Sequence, residues 1–180
     1  GKRYYAGYGR LEGDVGMKYF DKKYPLTDVA DVLRGVTFSR SEGEKENRLD
    51  YLPILRAGNI QGTLLKDRDL IWIPKKIVSN KQLIKKDDLI MCTSSGSSHI
   101  VGKCAISKED WNGSFGAFCV RIRAKKEICY PPYLFFYLIS PDFKNWAKKS
   151  SGINIKNIRK SDLEKYKIPL PPLPEQKRIA

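Results

Sequence analysis

Histidine is nearly missing from this chain: His99 is the only one in 180 residues. With one imidazole and no nucleophile placed beside it by any motif, hydrolase triads lack a base. The four cysteines, Cys92, Cys104, Cys119 and Cys129, form no Cys-x-x-Cys pair. A zinc site needs tighter ligand spacing, so no metal is expected. Cys92, Cys104 and Cys119 fall in apolar or alternating stretches and are expected as reduced, buried small hydrophobes. No apolar run approaches the roughly 20 residues that span a membrane. Nor does a charged-then-apolar leader open the chain, and the expectation is a soluble, cytoplasmic protein. No acidic strand leads into a glycine-rich cofactor loop, Gly7-Tyr-Gly9 being too little of one. No cofactor is expected.

What is present is positive charge. Lysine and arginine total 34 against 20 acids, a formal net charge of +14, which directs attention to a polyanionic partner. Even solvation would spread such an excess, but here it is skewed. Residues 1–90 hold 18 basic and 13 acidic side chains, whereas residues from Met91 onward hold 16 and 7. Lys144, Lys148, Lys149, Lys156, Arg159 and Lys160 follow one another with no acid between them, a distribution suited to phosphate contact. The length suits one domain with a sizeable core. A composition 41% hydrophobic and 30% charged excludes a disordered chain.

Four prolines, at 169, 171, 172 and 174, hold Ile168 to Leu173 extended and bar an interior strand or helix. After Pro174 the pattern reverses. Proline pre-sets a first helical turn, Glu175 suits its positive end, and Gln176 to Ala180 are mostly good helix formers. A Pro-x-x-Pro ligand or plain linker would explain the prolines alone. The whole string Ile168-Pro-Leu-Pro-Pro-Leu-Pro-Glu-Gln-Lys-Arg-Ile179 resembles the signature of type I restriction-modification DNA specificity subunits. The resemblance implies that residues 168–180 are a proline strap and the start of a conserved helix. In that family the helix packs as a coiled coil and holds methyltransferase subunits.

Upstream matches are looser. Residues 1–23, Gly-, Tyr- and Lys-rich with no sustained period, are expected to be an N-terminal arm or linker. Tyr24 to Gly35 reads as a short helix with Thr27 or Asp28 as N-cap and Gly35 as its stop. The family resemblance continues in Gly35-Val36-Thr37 and places the polar loop after it, with Arg40, near DNA. Tyr51 to Leu55 reads as a strand leading into Arg56-Ala-Gly-Asn-Ile60, also similar to the family. Asn59 can bond its own turn, while Arg56 and Gln61 suit guanine and adenine edges in the major groove. Strands are expected to end at Pro74 and to run over Leu89 to Thr93, Ile100 to Ile106 and Ala117 to Arg123.

Ser94-Ser-Gly-Ser-Ser-His-Ile-Val-Gly-Lys103 follows a strand end, with no acid from Met91 to Lys108. Hydroxyls and glycines of this kind let backbone approach phosphate, so Ser94, Ser95, Ser97, Ser98, His99 and Lys103 are candidates. His99 could equally be inert. Tyr133 to Ser140 and Asp142 to Lys149 read as helices, and Ser161 as the cap of a helix over Asp162 to Tyr166. Lys148, Lys149, Asn154 and Lys156 lie in the segment Lys148 to Ile158, which resembles the family's Ser-Gly loop before the last helix.

Two enzyme readings fail on residue type. Adenine methyltransferases place Asp, Asn or Ser before Pro-Pro-aromatic, but Tyr130-Pro-Pro-Tyr133 lacks that compact acceptor. Pro141-Asp142 and Glu175-Gln-Lys177 spell fragments of a nuclease motif at a helix break and after the strap, without converging carboxylates. The expected fold is α+β, a twisted, mainly antiparallel or mixed sheet with a few helices. The resemblance implies that residues 24–167 are a non-catalytic target-recognition domain for double-stranded DNA, partnered by methyltransferase and endonuclease subunits. Alternatives are the recognition domain of a fused restriction-methylation enzyme, an adenine methyltransferase fragment and a protein-binding scaffold.

Overall fold

A computed structural model describes residues 22–97, 99–150 and 157–180. Within them the chain runs β1 (Lys23–Pro25), α1 (Leu26–Val29), β2 (Ala30–Arg34), β3 (Tyr51–Leu55), β4 (Ile71–Pro74), β5 (Leu89–Cys92), β6 (Cys104–Ile106), β7 (Ser114–Phe115) and β8 (Cys119–Ala124). It continues through α2 (Pro131–Leu138), α3 (Pro141–Ser150), α4 (Lys160–Lys165), β9 (Lys167–Pro169) and α5 (Leu173–Ile179). A four-stranded antiparallel sheet has the order β2-β8-β5-β6, and a second sheet the order β4-β3-β7. β3 is antiparallel to β4 and parallel to β7. The expected α+β class, mainly antiparallel with one mixed sheet and a few helices, is what forms.

The central strand β5 explains the layering. Leu89 and Met91 point into one core with Val120, Ile122, Leu134, Phe143 and Leu163. Their neighbours Ile90 and Cys92 point into another with Leu55, Phe115 and Cys119. Period-two alternation thus sends successive side chains to opposite faces, both of them covered, which is why β5 is an unbroken apolar run. Helices cover the first face and the β4-β3-β7 sheet lies against the second. Cys92, Cys104 and Cys119 are buried thiols, as expected, and Cys129 is buried as well. Burial pushes the Cys129 thiol up to about 12 and Cys104 still higher, so both pack as neutral groups.

The segment from Tyr24 to Gly35 departs from the expected helix. Helix covers only Leu26–Val29, after Pro25 and without a side-chain cap bond, and strand β2 begins at Ala30. Five residues of β2 pair with β8, from Ala30 opposite Ala124 to Arg34 opposite Val120, and this ladder overrides a weak local helical preference. Gly35 is therefore no helix stop. A Cβ there would collide with the carbonyl oxygens of Phe115 and Gly116, so glycine admits a close backbone crossing between the two sheets.

Other boundaries shift by smaller amounts. Ile100 to Lys103 form turns before β6, with Gly102 at φ +83°. β8 begins at Cys119 because Ala117 and Phe118 make a turn, closed by the Cys119 N–H to the Gly116 carbonyl at 2.9 Å. α4 starts at Lys160 with Arg159 as its flanking residue, so Ser161 is not the cap. The Asp87-Asp88 turn has Asp87 at φ +72°, the conformation a glycine would take at no cost. Most of the expected arm, residues 1–21, lies outside the described residues.

Candidate nucleic-acid interface

The turn Gly116 to Cys119 ties three strand ends together. Gly116 N–H donates to the Leu55 carbonyl at 2.9 Å, at the end of β3. Ala117 N–H donates to the Val36 carbonyl at 2.9 Å, just past β2. Thr93 N–H and Ser94 N–H both donate to the Phe118 carbonyl, at 2.9 and 3.1 Å, just past β5. Arg34 completes the ring by donating its Nε to the Ala117 carbonyl at 3.1 Å. One end of the structure thus collects the segments that follow β2, β3 and β5.

The segment after α3 joins the same end. Asn157 makes a β-bridge with Ser94, and Ile158 N–H donates to the Thr93 carbonyl at 2.7 Å. Gly102 sits over Ala147 of α3, so close that an added Cβ would lie 3.6 Å from the Ala147 Cβ. Lys148 and Lys149 are exposed in the last turn of that helix. The candidates of the Ser94 to Lys103 loop and those of the α3 end, distant in sequence, are neighbours in space.

Individual placements follow from local bonding. In the Ser94 to Lys103 loop, Ser95 Oγ accepts from Ser97 N–H at 3.1 Å. Ser97 Oγ lies 3.0 Å from His99 Nδ1, which orients an exposed imidazole, and Lys103 at the end of the loop is exposed too. Arg56 and Gln61 are both exposed, at the two ends of the turn after β3. Arg56 donates to the Asp69 carbonyl at 3.2 Å and Gln61 to the Gly58 carbonyl at 2.9 Å, bonds that hold both at the turn surface. Asn59 is buried and serves its own turn: Oδ1 accepts from Arg56 N–H at 2.8 Å, and Nδ2 donates to the Leu65 and Arg68 carbonyls. Arg40 stands apart from the hub, in a short 3-10 turn on the loop that pairs Glu44 with Trp72 of β4. Ser98, Asn154 and Lys156 lie outside the described residues.

Two groups escaped the sequence argument. Phe118, expected as a strand residue, is 66% exposed at the tip of the hub turn. Gly116 between two short apolar runs was the available signal of a turn there. Arg34 was read as helical but stands exposed at the end of β2. At the far end of the β5–β8 ladder, where Leu89 faces Ile122, lies a partly buried ion pair. Asp88, fully buried, accepts two bonds from Arg123 at 2.6 and 2.7 Å and one from Lys85 N–H at 2.7 Å. That pairing raises the Arg123 guanidinium above its ordinary range. Arg121 is buried and donates Nη1 to the Lys81 carbonyl, and burial lowers its guanidinium from the ordinary value.

The proline strap docks on the body through the pairing of β9 with β1 and through two side chains. Tyr133 donates its hydroxyl to the Pro169 carbonyl at 2.9 Å. Gln176, fully buried, accepts from Tyr130 N–H at 2.7 Å and donates to the carbonyls of Ile128 and Pro171 at 2.9 and 2.7 Å. Tyr130-Pro-Pro-Tyr133 is therefore the bracket that receives the strap, a structural use of the residues weighed for methyl transfer. Among the described residues no helix is long and apolar enough to cross a membrane.

Comparison with known proteins agrees with this architecture. The specificity subunit of the StySPI type I restriction enzyme from Salmonella potsdam is 38% identical over 157 residues, covering 87% of this chain and 34% of that subunit. The EcoKI specificity subunit of Escherichia coli K12 is 37% identical over the same shares of both chains. This chain spans about a third of the length of those relatives. Among solved structures, an HsdS subunit from Thermoanaerobacter tengcongensis superimposes with a TM-score of 0.64 at 21% identity, covering 88% of this chain and 35% of that one. A type I restriction-modification S subunit from M. genitalium gives 0.57 at 13%, covering 88% and 36%. These two likenesses establish the fold. The model of the type I restriction modification DNA specificity domain matches residues 21–180, and the chain belongs to that family.

Proposed function

We propose that this chain is one target-recognition domain, which reads half of a split site on double-stranded DNA and carries no catalysis of its own. Residues 24–167 form the recognition body, and residues 168–180 the strap and helix through which methyltransferase and endonuclease subunits are placed. The observation that carries this reading is the gathering of the segments after β2, β3, β5 and α3 around one turn. Exposed Arg34, Arg56, Lys103, Lys148 and Lys149 lie on those segments or at the ends of the elements that lead into them, in a chain of net charge +14. Cations there neutralise phosphates and fix register, while side chains at the strand ends reach base edges.

Arg56, Gln61, Ser94, Ser95, Ser97, His99 and Lys103 supply the donors and acceptors on the described part of this end. Arg40 would act from a separate loop, and Ser98, Asn154 and Lys156 are included on their sequence alone. The test is selection from a pool of random duplexes at two salt concentrations, followed by sequencing of the retained DNA. Enrichment of a short motif, with affinity falling steeply as salt rises, is the expected result. Salt-independent or absent binding would refute it.

A further inference from the structure

Four large apolar side chains are strongly exposed among the described residues: Leu49, Phe118, Ile128 and Phe136. Leu49 lies in the loop that also carries Glu44, Glu46 and Asp50. Ile128 and Phe136 belong to the region where the strap docks, since Gln176 bonds the Ile128 carbonyl. Phe118 alone of the four sits at the hub of the candidate interface, with Arg34 bonded to the preceding carbonyl and Ser94 to its own. No acid lies between Met91 and Lys108 on the loop beside it.

The backbone under this ring is held on every side. Gly116 N–H and C=O, Ala117 N–H and C=O, and the Phe118 C=O are all hydrogen-bonded, to β3, β2, β5 and within the turn. The Phe118 carbonyl takes a third donor, Thr93 Oγ1 at 3.2 Å. A β-turn is narrow enough to enter a groove, and a phenyl ring has only two side-chain torsions to order. An exposed aromatic on so fixed a base is organised before binding, which is how a small contact gains discrimination. When covered, a ring of this kind buries roughly 150–250 Å².

We infer that Phe118 is the apolar base contact of this domain, inserted into duplex DNA by the Gly116 to Cys119 turn while the surrounding cations hold the phosphates. The inference rests on the DNA-recognition reading above and assigns it a residue that contributes specificity rather than charge. Two chemistries suit the ring: contact with a thymine C5-methyl group in the major groove, and a wedge between adjacent bases.

The test is the random-duplex selection repeated with Phe118→Ala and Phe118→Leu, thermal midpoints being measured in parallel. Phe118→Ala is expected to leave the midpoint and the salt-dependent, sequence-independent affinity unchanged. Discrimination at one or two adjacent positions of the motif falls roughly ten-fold, the scale of one mismatched pair, and Phe118→Leu restores part of it. Uracil substituted for thymine at the affected position distinguishes the sources. If it weakens the wild type and leaves Phe118→Ala unmoved, the ring meets the methyl group. If it has no effect while 2-aminopurine at that step brightens only with the wild type, the ring is a wedge. A position profile identical in wild type and Phe118→Ala overturns the inference and leaves the recognition reading standing. Failure of the wild type to select any sequence removes both.

Discussion

Replacing Gln176 with alanine tests whether the strap is part of the folded body. Its amide makes three bonds in a fully buried position: it accepts from Tyr130 N–H and donates to the Ile128 and Pro171 carbonyls. Truncation leaves one backbone donor and two acceptors without their partner. The Pro171 bond is itself buried, while the Tyr130 and Ile128 groups lie where water can reach them, so the full penalty applies to about one group and a fraction to the others. At about 1–3 kcal/mol for a group left unsatisfied, a total near 3 kcal/mol follows. For a domain of this size that is a fall of about 6–12 °C in Tm. Gln176→Glu is nearly isosteric yet sets a carboxylate against two carbonyl oxygens, and should be at least as damaging at neutral pH. Urea denaturation of the three proteins gives the comparison. A Gln176→Ala variant within about 0.5 kcal/mol of wild type, the range of ordinary surface substitutions, would mean that the strap is not held by this amide.

Further predictions concern charge. Lys148→Ala with Lys149→Ala should weaken duplex binding equally for all sequences and lower the slope of log K against log salt by about 2, the value for two phosphate contacts; an unchanged slope counts against the α3 end. Asp88→Ala leaves Arg123 and Lys85 N–H unpaired beside buried Arg121. It should destabilise by about 2–3 kcal/mol, below the value for a fully buried pair because Arg123 is 36% exposed, and urea midpoints will show whether it does. Asp110, bonded by Lys86 N–H and Lys85, is held below its ordinary value of 3.8. Its contribution is present above pH 3.8 and is lost as pH falls through the lowered value, so Asp110→Asn should flatten the acid limb of a stability-against-pH curve. An identical acid limb in the variant would show that these bonds add nothing measurable.

Local chemistry made much of this protein readable from its chain. Prolines 169, 171 and 172 keep the chain out of a helix interior and Pro174 suits a first helical turn, so the strap and the helix start were visible, and the apolar run at Leu89 to Cys92 had to be a covered strand. Asn59 was recognisable as a turn former because its side chain serves its own backbone. The segment after Pro25 was misread as helix because its pairing partner, β8, lies some ninety residues away and leaves no mark in a local window. Gly35 was misread with it, since a helix stop and a backbone crossing call for the same small residue.

The candidate interface divides along the same line. Composition and the acid-free loop pointed to a polyanion and to Ser94 through Lys103. The end of α3 was visible as a run of cations. That these two segments are neighbours, joined by the Ser94 to Asn157 bridge, was decided by sheet order. Phe118 shows the difference most sharply. In sequence it continues the alternation of Val120 and Ile122, and a register argument buries it. Only the closing of the Gly116 to Cys119 turn, fixed by bonds to β2, β3 and β5, leaves its ring in solvent. Side-chain chemistry is written locally, but which side chains share a surface depends on pairing between distant strands, and that information exists only once the chain has folded.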